Sequence, residues 1–330
     1  MNQGFCVRDC LAQGTQILHK ASSNTNMQYE SFITRARLEA EILLAFVLKK
    51  SRVWLHTYNE TKVRRREYEL FLGLVCRRAK GYPIEYLTQK ASFFESEFFV
   101  DSRVLIPRPE SEILLYKVCE VLVSYGITPE SKSSFFVADF LDSSVQGSLE
   151  SGEKDFAHRD SAFSFEMIEV GVGSGALSIS LARLFPKAHI IATDISKDAL
   201  EVAAYNAKAL GVAHQIQLVH TSLLDTLNAS NALLVFSNPP YIANSYTLPK
   251  NVAFEPRIAL FGGESGSEIL SELIAQCAAK NIAHLVCEMG YDQRQCMQNT
   301  LESYGYRALF YQDLAGLDRG FVAHLCHKIK

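Results

Sequence analysis

No stretch of this chain is apolar enough for long enough to cross a bilayer. The strongest apolar run near the N-terminus, residues 42–48 between Glu41 and Lys49, is seven residues long, against the roughly 20 that a spanning helix needs. The first twenty residues also lack a signal-peptide core. Eight cysteines are present, but no two form a Cys-x-x-Cys pair, so neither a disulfide framework nor a zinc ribbon is indicated. His324 and His327 are the one close histidine pair, without companion ligands in sequence, and no metal site is expected. From these absences a soluble cytoplasmic protein with reduced thiols is expected. An overall excess of one charge is missing too, since the net charge is −3. That figure hides an asymmetry: residues 1–90 carry 15 Lys and Arg against 8 Asp and Glu, a balance of +7, which leaves −10 for residues 91–330. Part of the excess flanks the amphipathic stretch 68–75, as Arg64, Arg65, Arg66, Arg77 and Arg78. A solvated basic face is the default there, and a docking patch for acidic protein or RNA is the alternative.

What is present is punctuated by glycine and proline. The apolar run 232–236 reads as a buried strand and is closed by Asn238-Pro239-Pro240-Tyr241. Two consecutive prolines cannot extend a sheet ladder and hold the preceding residues away from helical angles, so Asn238 is fixed at a strand's end. Its amide oxygen, the Asn238 and Pro239 carbonyls and the flat face of Tyr241 suit a planar NH2 group. Around a lone Asn-Pro the plainer alternative would be a turn that merely ends the strand.

Upstream, residues 167–170 read as a strand running into Gly171-Val172-Gly173-Ser174-Gly175 and then a helical pattern. A strand, a glycine turn and a helix start together bring backbone N–H groups close to a ligand. A nicotinamide enzyme and an adenosylmethionine enzyme would both fit this turn. A second strand, 189–193, ends at Asp194, 19 positions after Gly175. An acid there can accept hydrogen bonds from both hydroxyls of a ribose, and Ser196 is placed to cap the next helix.

The chain's 330 residues suggest two domains. Helical stripes near 7–21, 35–48 and 60–80 predict an N-terminal helical domain over 1–90. Residues 91–106 read as a β-hairpin turning at Asp101-Ser102, within a linker at 91–108. The remainder, 109–330, opens with a helix at 109–125. Strands follow near 167–170, 189–193, 215–219, 232–237, 282–288, 306–312 and 319–326. Alternation with helices predicts an α/β fold with a mostly parallel, doubly wound seven-stranded sheet. Residues 128–165, rich in serine and acids, look like an insertion, with a further strand at 135–138 as one option.

Glu169-Val-Gly-Val-Gly-Ser-Gly175, Asp194 and Ser237-Asn-Pro-Pro-Tyr-Ile242 resemble, in order and spacing, the adenosylmethionine-dependent methyltransferases of planar nitrogens. Further blocks narrow the resemblance to the HemK/PrmC family, which methylates peptide chain release factors on glutamine N5. These are Pro83-Ile-Glu-Tyr-Leu87, Phe98-Phe-Val100, Val104-Leu-Ile-Pro-Arg-Pro-Glu-Ser-Glu112, Phe254-Glu-Pro-Arg-Ile-Ala-Leu260, Glu288-Met-Gly290 with Gln293, and Asp313-Leu-Ala-Gly-Leu-Asp-Arg319. The resemblance implies a Rossmann-like methyltransferase domain behind a helical substrate-recognition domain. It also implies S-adenosylmethionine as cofactor and the glutamine of a release factor's Gly-Gly-Gln loop as substrate. Carried over residue by residue, Asn238, Pro239, Pro240 and Tyr241 grip the acceptor amide. Glu169, Gly171, Val172, Gly173, Ser174, Gly175, Asp194, Ser222, Leu223 and Asn238 line the cofactor site, with Glu169 fixing either the glycine loop or the cofactor ammonium; Arg108 and Glu112 either close the substrate cleft or form a salt-linked domain joint. The chain departs from the family pattern at Glu169, where Asp is usual, at Ser222-Leu223, where an Asp-Trp-like pair is common, and at Gln89, where Gly is usual. A monomer is expected. The rival readings are a nucleic-acid amino-methyltransferase acting on adenine N6 or guanine N2, a nicotinamide oxidoreductase, and a non-catalytic cofactor-binding protein.

Overall fold

A computed structural model describes residues 5–22, 29–130 and 164–326. Most of the expected insertion, including the optional strand at 135–138, and His327 lie outside the described residues. The chain divides into two compact units, Met1–Lys90 with Leu248–Phe254, and Ala91–Thr247 with Glu255–Lys330. Among the described residues no helix is long and apolar enough to span a membrane.

In the first unit, α1 (Val7–Ser22), α2 (Tyr29–Leu48), α3 (Arg52–Thr57), α4 (Arg65–Ala79) and α5 (Ile84–Thr88) surround a core that includes Leu43, Leu44, Leu55, Phe71 and Val75. The basic stretch around α4 is largely answered by acids of its own neighbourhood. Arg64 pairs with Glu67, Arg65 with Glu69 at 2.8 Å, and Arg78 with Glu39 at 2.7 Å, while Arg77 lies 4.2 Å from the Tyr82 ring centre. The Arg64 and Arg65 pairs are exposed and add little stability, whereas the Arg78–Glu39 pair is largely buried, and together they cancel much of the positive field that the raw count of arginines suggests.

The second unit opens with a hairpin of β1 (Ala91–Phe93) and β2 (Ser96–Phe98), in register Phe93↔Ser96. The turn therefore falls at Phe94-Glu95, with Phe94 at φ 48°, and not at Asp101-Ser102. The apolar signal that settles the register is Phe93 and Phe98, both buried in the sheet's core. Asp101 instead receives the Arg103 guanidinium and N–H in the loop that follows.

After α6 (Ser111–Ser124) come β3 (Phe165–Val170), α7 (Ala176–Leu184), β4 (Ala188–Asp194), α8 (Lys197–Ala209), β5 (Ile216–His220), β6 (Ala232–Ser237), β7 (Ile242–Ala243), β8 (Phe261–Gly263), α9 (Glu268–Ala279), β9 (His284–Glu288), α10 (Arg294–Ser303), β10 (Tyr306–Gln312) and β11 (Asp318–Leu325). Seven strands form one sheet in the order β10-β11-β9-β6-β3-β4-β5. Its pairs are parallel from β9 to β5 and antiparallel around β11. This is the Rossmann-like methyltransferase architecture.

The apolar strand runs are continuous because both faces are covered. Met167 and Phe236 pack toward α6 and α7, whereas their neighbours Ile168 and Val235 pack toward α9 and α10. Ser196 caps α8 by accepting the Ala199 N–H at 3.2 Å, as its position after Asp194 predicts.

Candidate active site

Strand β3 pairs with β4 on one side and β6 on the other, so the chain order reverses at β3. In open α/β sheets ligands bind outside the carboxyl ends of the strands at such a point. Register sharpens the placement: Val170 is opposite Ser237, and the Ser237 hydroxyl donates to the Val170 carbonyl at 2.7 Å. The glycine turn after β3 and Asn238 after β6 are thereby brought to one spot. A cavity of about 320 Å³ opens there, lined by Gly171, Asp194, Leu223, Asn238 and Pro239 among others, in the range of roughly 300–1,000 Å³ usual for small-molecule sites.

The floor of the cavity is the turn itself. Gly171 and Gly173 have φ of 78° and 53°, and a Cβ on either would meet nothing within 4 Å, so each leaves open space beside a backbone angle that side chains disfavour. The Gly171 and Val172 N–H groups both donate to the Thr193 carbonyl at 2.9 Å, which fixes the turn on β4. Ser174 and Val172 also line the cavity.

Asp194 accepts the Gly173 N–H at 3.0 Å and the Ser196 N–H at 2.8 Å. Burial raises its carboxyl pKa, opposed by these N–H groups. Glu169 is 2 % exposed and accepts both the hydroxyl and the N–H of Ser178 at the start of α7. Burial outweighs those bonds and pushes its carboxyl up to about 8. Ser222 and Leu223 line the far wall, where Thr193 donates to the Leu223 carbonyl at 3.1 Å and Leu223 itself takes φ 46°.

Across from the turn stand Asn238, Pro239 and Pro240. The Asn238 Nδ2 donates to the Ser111 hydroxyl at 2.8 Å, and that hydroxyl donates to Glu288 at 2.7 Å. Tyr241 turns its hydroxyl to the other Glu288 oxygen at 3.1 Å, and burial with the nearby carboxylate raises the phenol's pKa. Gln293 supports the same loop, donating to the Tyr241 carbonyl at 3.1 Å while accepting the Gly290 N–H at 3.0 Å.

Three expected site residues lie apart from the cavity lining. Gly175 faces the helices: a Cβ there would stand 2.8 Å from Ile179 and 3.4 Å from Ala203, so its absence lets α7 pack on α8. The Tyr241 side chain is held by Glu288 behind the loop. Glu112 accepts the Phe94 N–H at 2.8 Å and pins the hairpin turn. Arg108 does line the cavity, paired with the buried Glu255, which also accepts the Ile106 N–H at 3.1 Å.

The sequence reading passed over other supports. Asn206, 2 % exposed on α8, donates to the Ser174 and Phe99 carbonyls and accepts the Phe99 N–H. A polar residue on the inner stripe of a helix was the signal. Gly262 and Gly266 are needed for contact: an added Cβ would stand 2.3 Å from the Pro240 carbonyl oxygen or 2.5 Å from that of Tyr241. The Gly-Gly pair at 262–263 gave that hint.

Residues 9–88 match the family model described as PrmC N-terminal domain, and residues 141–253 match Methyltransferase small domain. The catalytic domain of hMettl16 in complex with MAT2A 3′UTR hairpin 6 superposes with a TM-score of 0.50 at 13 % identity, over 86 % of this chain and 92 % of that one, which is a likeness of fold. A bifunctional methyltransferase of Rickettsia felis is 32 % identical over 92 % of this chain, and the chain spans 56 % of that relative's length. The release factor glutamine methyltransferase of Chlorobaculum tepidum is 34 % identical over 88 % of this chain and 91 % of its own length. With that identity maintained across nearly the whole of such a relative, the chain belongs to the release factor glutamine methyltransferase family.

Proposed function

We propose that the protein transfers the methyl group of S-adenosylmethionine to the side-chain amide nitrogen of the glutamine in the Gly-Gly-Gln loop of a peptide chain release factor, acting in the cytoplasm as a monomer. The observation that supports this most is the juxtaposition of Asn238 with the glycine turn. The residues present fit the cofactor: two open glycines for close backbone approach, Asp194 for ribose hydroxyls, Leu223 and Val172 for apolar contact, and Glu169 for a cationic amino group. When bound, the cofactor supplies an electrophilic methyl on a sulfonium.

The protein's own residues must solve an electronic difficulty. An amide nitrogen shares its lone pair with its carbonyl, so it attacks only if that lone pair is held toward the electrophile. In this reading the Asn238 Oδ1 and the Pro239 carbonyl accept the two N–H groups of the substrate amide. The grip orients the nitrogen and favours the positive charge that develops on it. Orientation alone can supply up to about 7–11 kcal/mol of barrier lowering. No base is required before attack, because the N–H becomes acidic only as the new N–C bond forms; as the methyl–sulfur bond breaks to leave a neutral thioether, that proton would pass to solvent. Tyr241 contributes through its carbonyl and its anchored ring to the stiffness of the loop.

Two expected results test parts of this reading. Glu169, with its carboxyl near 8 in the free protein, is mostly protonated at neutral pH, and a cationic group beside it favours the ionised form. Cofactor binding should therefore release a proton below pH 8, with affinity rising as pH increases toward 8 and levelling above it. Calorimetry at pH 7 in buffers of different ionisation enthalpy reads this directly, and zero proton release would exclude Glu169 as the cation's partner.

Gly262→Ala forces apart atoms that would otherwise lie 2.3 Å from each other, displacing the Pro240 carbonyl. Small misplacements near reacting groups are costly, so turnover should fall on the order of 10-fold or more with cofactor affinity unchanged. Wild-type turnover would mean that the loop's position is not critical.

The function itself is tested by incubating the protein with labelled methyl donor and either a release factor, the same factor with its loop glutamine replaced by alanine, or nucleic acid. Label on the first alone supports the reading. Label on nucleic acid would instead indicate an enzyme that extrudes a base.

A further inference from the structure

We propose that Ser111 and Glu288 are positioning residues that set the direction in which the Asn238 amide faces, so that its oxygen and not its NH2 meets the acceptor nitrogen. The inference rests on the reading of Asn238 given above and goes beyond it, because it concerns what makes Asn238 an acceptor.

An asparagine side chain is nearly symmetric in shape, and its two ends differ only in hydrogen-bond sense. A substrate NH2 can be gripped only by the oxygen end. Something must hold the other end, and the geometry supplies it through a chain of fixed polarity. Glu288, 1 % exposed, receives the Ser111 hydroxyl on one oxygen and the Tyr241 hydroxyl on the other, at 2.7 and 3.1 Å. Ser111 has one hydroxyl proton, so once Glu288 has taken it the Ser111 oxygen offers only lone pairs. The group facing it at 2.8 Å is accordingly the Asn238 Nδ2. Its Oδ1 is left for the cavity, which Ser111 and Asn238 both line.

The chain's sense depends on Glu288 remaining an acceptor. Burial works against that and raises its pKa, while the two hydroxyls and the Arg319 guanidinium work for it. Arg319 is in turn paired with Asp313 at 2.8 Å, and its main-chain carbonyl accepts the Met289 N–H at 2.8 Å, beside Glu288. The blocks at Glu288 and at Asp313 to Arg319, which the cofactor and substrate roles leave unused, thus converge behind a single side-chain amide.

The test is a double-mutant cycle between Ser111 and Asn238, read as kcat on the release factor with cofactor affinity measured in parallel. Ser111→Ala removes the acceptor for Nδ2 and releases the amide into flipped and rotated poses that present no oxygen to the substrate nitrogen. Its kcat should fall roughly 10- to 100-fold, the scale of an uncompensated buried hydrogen bond, with cofactor affinity unchanged. Ser111→Thr keeps a hydroxyl and should recover most of the lost kcat. The decisive arm is the double variant: with no amide to orient, adding Ser111→Ala to Asn238→Ala should cost nothing beyond the loss from Asn238→Ala alone.

A merely structural role for Ser111 would give multiplying losses in the double variant or a fall in cofactor affinity, and either result overturns the proposal. So does a Ser111→Ala enzyme with wild-type kcat. Failure of the underlying reading looks different, since Asn238→Ala alone would then remain active.

Discussion

Asn238→Ala is expected to reduce turnover by on the order of 10²–10³, the cost of deleting one preorganised polar partner at a reacting centre, while leaving S-adenosylmethionine affinity nearly intact. The separation between the two readouts follows from the structure. Asn238 bonds to Ser111 and stands opposite the glycine turn, whereas the turn is held by Thr193 and Asp194, none of which touches Asn238 through a hydrogen bond. On the proposed reading, removing the amide strips one acceptor from the substrate nitrogen without loosening the turn that holds the cofactor. Single-turnover kinetics with saturating cofactor give the number. A rate within a factor of two of wild type would mean that Asn238 does not hold the acceptor nitrogen, and a lost cofactor affinity would mean that it serves the other half of the site.

Asp194→Ala should show the reverse signature. Its carboxylate is committed to two backbone N–H groups, at Gly173 and Ser196, and each oxygen retains capacity for a ribose hydroxyl. The substitution removes the charged acceptor and also one of the ties that hold the glycine turn. With charge-assisted hydrogen bonds contributing about 1.5–3 kcal/mol each, cofactor affinity should fall on the order of 100-fold or more. Asp194→Asn, which can keep one acceptor in the same shape, should fall between. At cofactor concentrations high enough to saturate the variant, most of the turnover should return. Calorimetric affinity equal to wild type would remove Asp194 from the cofactor site.

The parts of this molecule that could be read from the sequence are those fixed by local chemistry. The double proline ends β6 at Ser237 because neither ring can continue the ladder, the glycines end β3 at Val170 because the turn needs positive φ, and continuous apolar runs mark strands buried on two faces. Element order then implies the sheet. Long-range polar contacts left no comparable trace. Ser111 and Glu288 are 177 positions apart, and nothing in either neighbourhood announces that they share a proton. For Asn206 and Phe99, 107 positions apart, the polar residue on an inner helical stripe gives a hint but does not name its partner.

The hairpin turn departs from its sequence expectation for a related reason. Asp101-Ser102 has good turn chemistry, but the register is decided by Phe93 and Phe98 finding the core, which local preference does not weigh. Glu112 shows the same limit from the other side: its place at the end of the Val104–Glu112 block suggests the cleft, and its carboxylate is spent on the N–H of Phe94 in that turn. In the first unit, the excess of arginines is real, but its field depends on where Glu39, Glu67 and Glu69 fall in space.

The central claim is that a flat carboxamide is held by Asn238 beside the glycine turn and takes a methyl on nitrogen. Tandem mass spectrometry of a release factor after incubation with the protein and S-adenosylmethionine tests it most directly. The account predicts one added methyl, located on the side-chain nitrogen of the Gly-Gly-Gln glutamine and lost with Asn238→Ala. A methyl on any other residue, or an unmodified glutamine with an enzyme shown to bind its cofactor, would contradict it.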